Sequence, residues 1–224
     1  MRQKIIPSIM AKDQKELNVV LNKLKGVVKE LHLDVVDGKF AKNKAMNFDF
    51  RLRREFNYNV HLMVNHPETW ISKHGKKVDT IIFHPEVVDD VKALINEVRK
   101  IKKKVGLALK SETKVKEIKD YLVDLDYVLV LTVHPGFYGS KFLSAPLKKI
   151  KQIKKINPKV KVIVDGGISP KTIKKAAKAG ADYFVSGSYT TKSEFPRKSI
   201  RNLLATIKWE ENTNTNQNIS LCQK

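Results

Sequence analysis

Four side chains in this sequence have the types and placement to do chemistry together. His32 and Asp34 are two residues apart in Leu31-His32-Leu33-Asp34-Val35-Val36-Asp37-Gly38. His61 sits in Asn59-Val60-His61-Leu62-Met63, and Asp165 closes Val162-Ile163-Val164-Asp165-Gly166-Gly167. Two imidazoles and two carboxylates suit a divalent transition metal, and the carboxylates could also exchange protons with a bound substrate. Each residue alone has a plainer role: a histidine on a strand is more often hydrogen-bonded and structural, and an aspartate at a strand end often caps a turn. What argues against the plainer role is that four donors occupy comparable positions near the ends of apolar runs. Asp37, before Gly38, reads as a turn residue, and His84 is left without a role.

Glycine-rich segments form a second group. His134-Pro135-Gly136-Phe137-Tyr138-Gly139-Ser140, Asp165-Gly166-Gly167 and Ser186-Gly187-Ser188 each follow an apolar run. Glycines let the backbone approach a ligand closely, so that N–H groups can hold phosphate oxygens. One isolated pair would be a tight turn. Three on one rim favour a phosphate.

The elements that must position these residues follow from periodicity. Strands are expected at Lys4–Ile9, Leu31–Val36, Tyr58–Met63, Thr80–His84, Val105–Leu109, Tyr127–Thr132, Val160–Val164 and Tyr183–Ser186. Helices are expected at Lys12–Lys25, Val87–Lys102, Lys114–Tyr121, Ala145–Ile156, Lys171–Ala179 and Arg197–Trp209. Val91, Leu94, Ile95, Val98 and Ile101 mark one buried helical face. Ser169-Pro170 and Gly180 bracket the helix near Lys171. The stretch from Lys39 to Phe56 reads as a long loop with a short helix. Alternating strands and helices imply a parallel sheet, and eight units imply an eight-stranded (β/α)8 TIM barrel. An open doubly wound sheet fits less well, because the first βα turn lacks a glycine-rich dinucleotide fingerprint. His32 and Asp34 then face the same way, and His61 and Asp165 lie near the C-terminal strand ends, where barrels build active sites. The expected organisation is one catalytic barrel over 1–209 and a polar, mobile tail over 210–224, with no repeat longer than the βα unit.

Composition narrows the setting. The 224 residues can bury a substantial core, and no apolar stretch is long enough for a membrane span. Met1-Arg2-Gln3-Lys4 runs straight into a strand, which predicts no secretory signal. Cys222 is the only cysteine and lies in the polar tail, so a reducing, cytoplasmic setting is expected. The formal charge is +21, yet only seven of the 44 basic residues are arginine. The lysines fall on outer helix faces, without the interleaved aromatic residues of a nucleic-acid surface. No specific nucleic acid is expected, and the charge would favour an anionic substrate.

These segments resemble successive signatures of the ribulose-phosphate 3-epimerases. Pro7-Ser8-Ile9, His32-Leu33-Asp34-Val35-Val36-Asp37-Gly38 and His61-Leu62-Met63 carry the resemblance, with Pro135-Gly136-Phe137-Tyr138-Gly139, Val164-Asp165-Gly166-Gly167-Ile168 and Gly187-Ser188. The order is the family's, from Pro7 to Ser188. The resemblance implies a barrel of the ribulose-phosphate-binding type, an isomerase that interconverts D-ribulose 5-phosphate and D-xylulose 5-phosphate in the pentose phosphate pathway. It implies that His32, Asp34, His61 and Asp165 bind one divalent metal ion per subunit, zinc or iron(II) foremost and cobalt or manganese also suited. By the same likeness Asp34 and Asp165 are the acid–base pair, inverting C3 through a metal-stabilised enediolate. Ser8, His61 and Asp165 would contact the phosphorylated pentulose. Gly136, Phe137, Tyr138, Gly139, Gly166, Gly167, Gly187 and Ser188 would hold its phosphate end, and a homo-oligomer is implied.

The chain departs from the pattern at Val36 and Leu131, where methionine is common, while Met63 is kept. His134, Tyr138 and Ser140 alter the loop after the sixth strand. Alternatives are a 3-epimerase of another ketose phosphate, such as allulose 6-phosphate, and a phosphosugar decarboxylase or synthase. The latter often carry Asp-x-Lys-x-x-Asp, which Asp37-Gly38-Lys39-Phe40-Ala41-Lys42 begins but does not complete. A non-enzymatic nucleic-acid-binding barrel is the third reading.

Overall fold

The computed structural model describes residues 3–135 and 140–207. Eight parallel strands close on themselves: β1 (Lys4–Ile9), β2 (Glu30–Asp37), β4 (Asn57–Met63), β5 (Thr80–Phe83), β6 (Lys104–Leu109), β7 (Tyr127–Leu131), β8 (Lys161–Asp165) and β9 (Tyr183–Ser186). β1 pairs with both β2 and β9, which shuts the barrel. A two-residue strand, β3 (Lys44–Ala45), folds back antiparallel on the end of β2. The helices are α1 (Gln14–Leu24), α2 (Pro67–His74), α3 (Val91–Lys100), α4 (Lys148–Ile156), α5 (Ile173–Lys178), α6 (Ser188–Thr191) and α7, residues 196–207.

Strand alternation divides the core in two. Leu31, Leu33, Val60, Leu62, Ile81, Phe83, Val105, Leu107, Val128, Val130, Val162 and Val164 point outward against the helices. Ile82, Ala108, Leu129, Leu131, Ile163 and Val185 fill the barrel itself. Both layers come from β-branched and leucine-rich runs that are apolar throughout, as strands buried on two faces must be. α1 begins at Asp13, whose carboxylate accepts from the Glu16 N–H at 2.8 Å. α3 begins at Asp90 in the same way, through Ala93.

The N-terminal end of the barrel carries a repeated device. Asp79, Asp126 and Asp182 immediately precede β5, β7 and β9. Each side chain accepts, at 2.8 Å, from a backbone N–H of the preceding barrel strand: Tyr58, Val105 and Val162. Each backbone N–H returns a bond to the carbonyl of that same residue. Each aspartate carbonyl then accepts from the first residue of another strand, Lys104, Lys161 and Lys4. Lys29 holds the corresponding position before β2, and its side chain has no acceptor to offer.

Several elements differ from expectation. The stretch 39–56 contains β3 and turns but no helix. Asp37 takes up the bend, accepting from the N–H groups of Lys39, Phe40 and Asn65. The helix expected at Lys114–Tyr121 is a 3-10 helix over Val115–Asp124; it buries Val115, Ile118 and Leu122, a spacing that both helix types can present to the core. α3 starts four residues after the expected Val87, because Pro85–Val87 forms its own 3-10 turn and Asp90 supplies the cap. α2 was not anticipated. Its signal is Pro67 in the first turn, and eight residues are too few for clear periodicity.

Candidate active site

The C-terminal end of the barrel gathers the four donors. Register aligns Asp34 on β2 with His61 on β4, and Ser8 on β1 with His32 on β2. Asp165 ends β8, level with Leu131 and Val185. His32 Nε2 lies 3.4 Å from Asp34 Oδ1 and 3.9 Å from Asp165 Oδ2. His61 Nδ1 lies 3.6 Å from Asp34 Oδ1 and 3.4 Å from Asp165 Oδ2. One ligand atom from each of the four falls within 4.8 Å of all the others.

The surroundings of these atoms fit a cation. Both ring nitrogens of His32, Nδ1 of His61 and Oδ1 of Asp34 are buried and make no hydrogen bond. Buried polar atoms are rarely left so, and a divalent ion at their centre would satisfy three of the four at once. Burial disfavours charge on Asp34, but the adjoining His32 and His61 outweigh it and hold the carboxyl far below its usual range. Burial likewise opposes charge on His61, and Asp165 and Asp34 overcome it, raising the imidazole to about 9. The four residues could thus hold a metal, with a proton on His61 to be displaced.

Beside the cluster opens a cleft lined by Ser8, Met10, Asp34, Met63, Leu131, Asp165, Gly166, Gly167, Gly187 and Ser188. Six residues expected at a substrate (Ser8, Asp165, Gly166, Gly167, Gly187 and Ser188) therefore share one wall system, and His61 touches it through Asp34 and Asp165. Gly136, Phe137, Tyr138 and Gly139 lie outside the described residues. Ser140 reaches the cleft, whereas Val36 packs beside it with Ala45 and Met63. Gly166 and Gly167 also have local reasons to be glycine: both have positive φ, and a Cβ would meet Val133 at 2.4 Å in one case and Phe142 at 3.0 Å in the other.

A model of the ribulose-phosphate 3-epimerase family matches residues 4–191. The chain belongs to the ribulose-phosphate 3-epimerase family. It is thereby placed among isomerases. A ribulose-phosphate 3-epimerase of Schizosaccharomyces pombe is 34% identical over 210 residues, covering 89% of this chain and 92% of the relative. One from Methanocaldococcus jannaschii is 33% identical over 89% of each chain. One from Bacillus subtilis is 31% identical, covering 88% of this chain and 96% of the relative. The fold alone is shared with KGPDC from Streptococcus mutans, at TM-score 0.66 and 12% identity, covering 93% of this chain and 98% of that one. It is shared likewise with 3-hexulose-6-phosphate synthase from Salmonella typhimurium, at TM-score 0.61 and 18% identity over 92% and 99%.

Behind this epimerase-family site lie His84, which sequence reading left unassigned between lining the pocket and capping its strand, and Glu86 and Thr113, which it missed. His84, one residue past β5, is fully buried, and its Nε2 lies 2.9 Å from His61 Nε2. Its Nδ1 lies 3.4 Å from Glu86 Oε2, and the other oxygen of Glu86 accepts from the Thr113 hydroxyl. Burial lowers His84 to about 4, against the opposing pull of Glu86. Burial would raise Glu86, but His84 and Thr113 bring it down to about 2. The available signal was His84-Pro85-Glu86 at a strand end, with His84 two residues beyond Ile82, the partner of His61 on the neighbouring strand, and so on the same face.

Proposed function

We propose that this protein is a metal-dependent ribulose-phosphate 3-epimerase, interconverting D-ribulose 5-phosphate and D-xylulose 5-phosphate by proton transfer at C3. The observation that carries this reading is the meeting of Asp34 and Asp165 with two buried histidines at the rim of a glycine-walled cleft. His32, Asp34, His61 and Asp165 would hold the ion, with zinc or iron(II) the favoured identity and cobalt or manganese compatible with the same donors. When bound, it would act as a Lewis acid that offsets negative charge developing on the substrate oxygens.

The chain's own residues do the proton work. One of Asp34 and Asp165 takes the proton from C3, leaving an enediolate, and the other returns a proton to the opposite face. Reversal of direction exchanges the two roles. The adjoining His32 and His61 keep Asp34 ionised, so it is available as the base and gives its proton up readily once it has taken one. Ser8 would fix the sugar near the carboxylates, and the Gly166-Gly167 and Gly187-Ser188 segments would take the phosphate, with the Gly136–Gly139 segment as a third contributor. An anchored phosphate keeps C3 in place between the two transfers. The favoured setting is cytoplasmic, with subunits assembled as a homo-oligomer; among the described residues no helix is long and apolar enough to cross a membrane.

The decisive experiment is a ribulose 5-phosphate assay on protein stripped of metal and then reloaded. Activity should vanish and return, and Asp34→Asn and Asp165→Asn should each lose at least about 10²–10⁴-fold. Retained epimerisation in both variants would refute the two-base assignment. Allulose 6-phosphate, assayed alongside, tests the nearest alternative substrate.

A further inference from the structure

His61 must do two things at once if it binds a metal, and the residues behind it bear on the second. Nδ1 faces Asp34 and Asp165, so that nitrogen must present a lone pair to the ion. The ring's one proton then belongs on Nε2, which lies 2.9 Å from Nε2 of His84. Two N–H groups cannot face each other at that distance, so His84 Nε2 is the acceptor and carries no proton. An imidazole keeps at least one, which puts the His84 proton on Nδ1. That nitrogen is buried, makes no bond within ordinary hydrogen-bond geometry, and lies 3.4 Å from Glu86 Oε2. An ionised Glu86 has only acceptors, and its other oxygen is taken by the Thr113 hydroxyl.

We infer that His84, Glu86 and Thr113 form a chain that fixes the proton of His61 on Nε2, leaving Nδ1 open to the metal. The inference rests on the metal-dependent reading given above. The donors converge on Glu86, His61 through His84 from one side and Thr113 from the other, so the carboxylate is the acceptor that ends both. Phe40 lies against His84 with ring centroids 4.6 Å apart, and Lys110 Nζ lies 4.2 Å from the centre of the Phe40 ring. These groups cover the chain from the loop side, and His61 and His84 are both fully buried. Water is excluded between the two buried rings, so when Nδ1 of His61 gives up its proton to a metal the remaining one stays on Nε2, while the partly exposed Glu86 anchors the far end. His84, Glu86 and Thr113 are positioning residues and do not touch the substrate cleft.

The test measures zinc binding alone, by competition with a chromophoric chelator, in the full chain and in His84→Phe, His84→Gln and Glu86→Ala. His84→Phe should weaken binding by about 10–100-fold, and Glu86→Ala should weaken it less. His84→Gln, whose amide oxygen can accept from His61, should recover part of the loss. Unchanged zinc affinity in folded His84→Phe and Glu86→Ala would overturn the inference. Independently of any variant, 15N NMR of the zinc-loaded wild type should show His61 protonated at Nε2 and His84 at Nδ1; the reverse tautomers would also overturn it. Absence of zinc binding by the wild type overturns the metal reading itself, at a step that no variant enters.

Discussion

Gly166 offers the sharpest quantitative test of how tightly the barrel mouth is packed. Its φ is +107°, and an added Cβ would lie 2.4 Å and 2.8 Å from the two Cγ atoms of Val133 and 3.0 Å from its Cβ. Holding a side chain at this φ costs about 1–2 kcal/mol. Forcing the methyl against Val133, a stiff β-branched residue only 7% exposed, adds about 1–3 kcal/mol. Gly166→Ala should therefore destabilise by about 2–5 kcal/mol and lower Tm by roughly 5–15 °C. Val133→Ala alone removes two methyl groups, about 1.6 kcal/mol of lost burial, but also the two closest contacts. The double variant should accordingly be less destabilised than the sum of the singles, by about 1–2 kcal/mol. Urea denaturation of the four proteins measures the cycle. Strict additivity would show that Val133 is not what excludes a side chain here, and full stability of Gly166→Ala would refute the packing argument outright.

Two further outcomes follow from local geometry. Lys102 ends α3 at φ +59°, with its N–H on the Arg99 carbonyl and the Lys103 N–H on the Val98 carbonyl, the arrangement in which glycine is normally found. Lys102→Gly should gain about 0.5–1 kcal/mol despite a freer unfolded chain, and a loss in thermal denaturation would contradict the strain assigned to it. Glu86 is lowered to about 2 from an unfolded value near 4.5, so its charge stabilises the fold above pH 4.5, and that contribution fades as pH falls toward 2. The stability gap between wild type and Glu86→Gln, measured by denaturation at several pH values, should narrow over that window; a gap constant from pH 6 to pH 2.5 would rule the linkage out.

The barrel was legible because its strands are apolar on both faces and rich in valine and isoleucine, a pattern that a surface loop does not imitate. Thr80 to Phe83, for example, is short but bounded by charge and proline. The metal-type cluster was legible because His32 and Asp34 lie two apart and therefore share a face whatever the surroundings. His84 was not, since one histidine at a strand end carries no information until the neighbouring strand is aligned with it. α2 escaped notice for a different reason: its buried face, Pro67, Trp70, Ile71 and His74, has helical spacing, but it fills only two turns and two of the four are proline and histidine, which do not read as an apolar stripe. β3 is two residues long and exists by pairing with Val36 and Asp37, a tertiary cause that no local pattern records.

The aspartates beneath the barrel have a consequence for how the molecule divides. Their side-chain bonds close within β4 and β5, within β6 and β7, and within β8 and β9, and none spans β5 to β6. A break in the chain at 88–90 would leave every one of these clasps whole in one fragment or the other. The same break would part Asp165 from His32, Asp34 and His61. At the N-terminal end the side-chain clasps are local to strand pairs, and backbone bonds such as Lys104 N–H to the Asp79 carbonyl join one pair to the next, whereas the donors at the C-terminal end come from both halves. Fragments could keep their local order, but the four-donor cluster exists only when the halves are reunited.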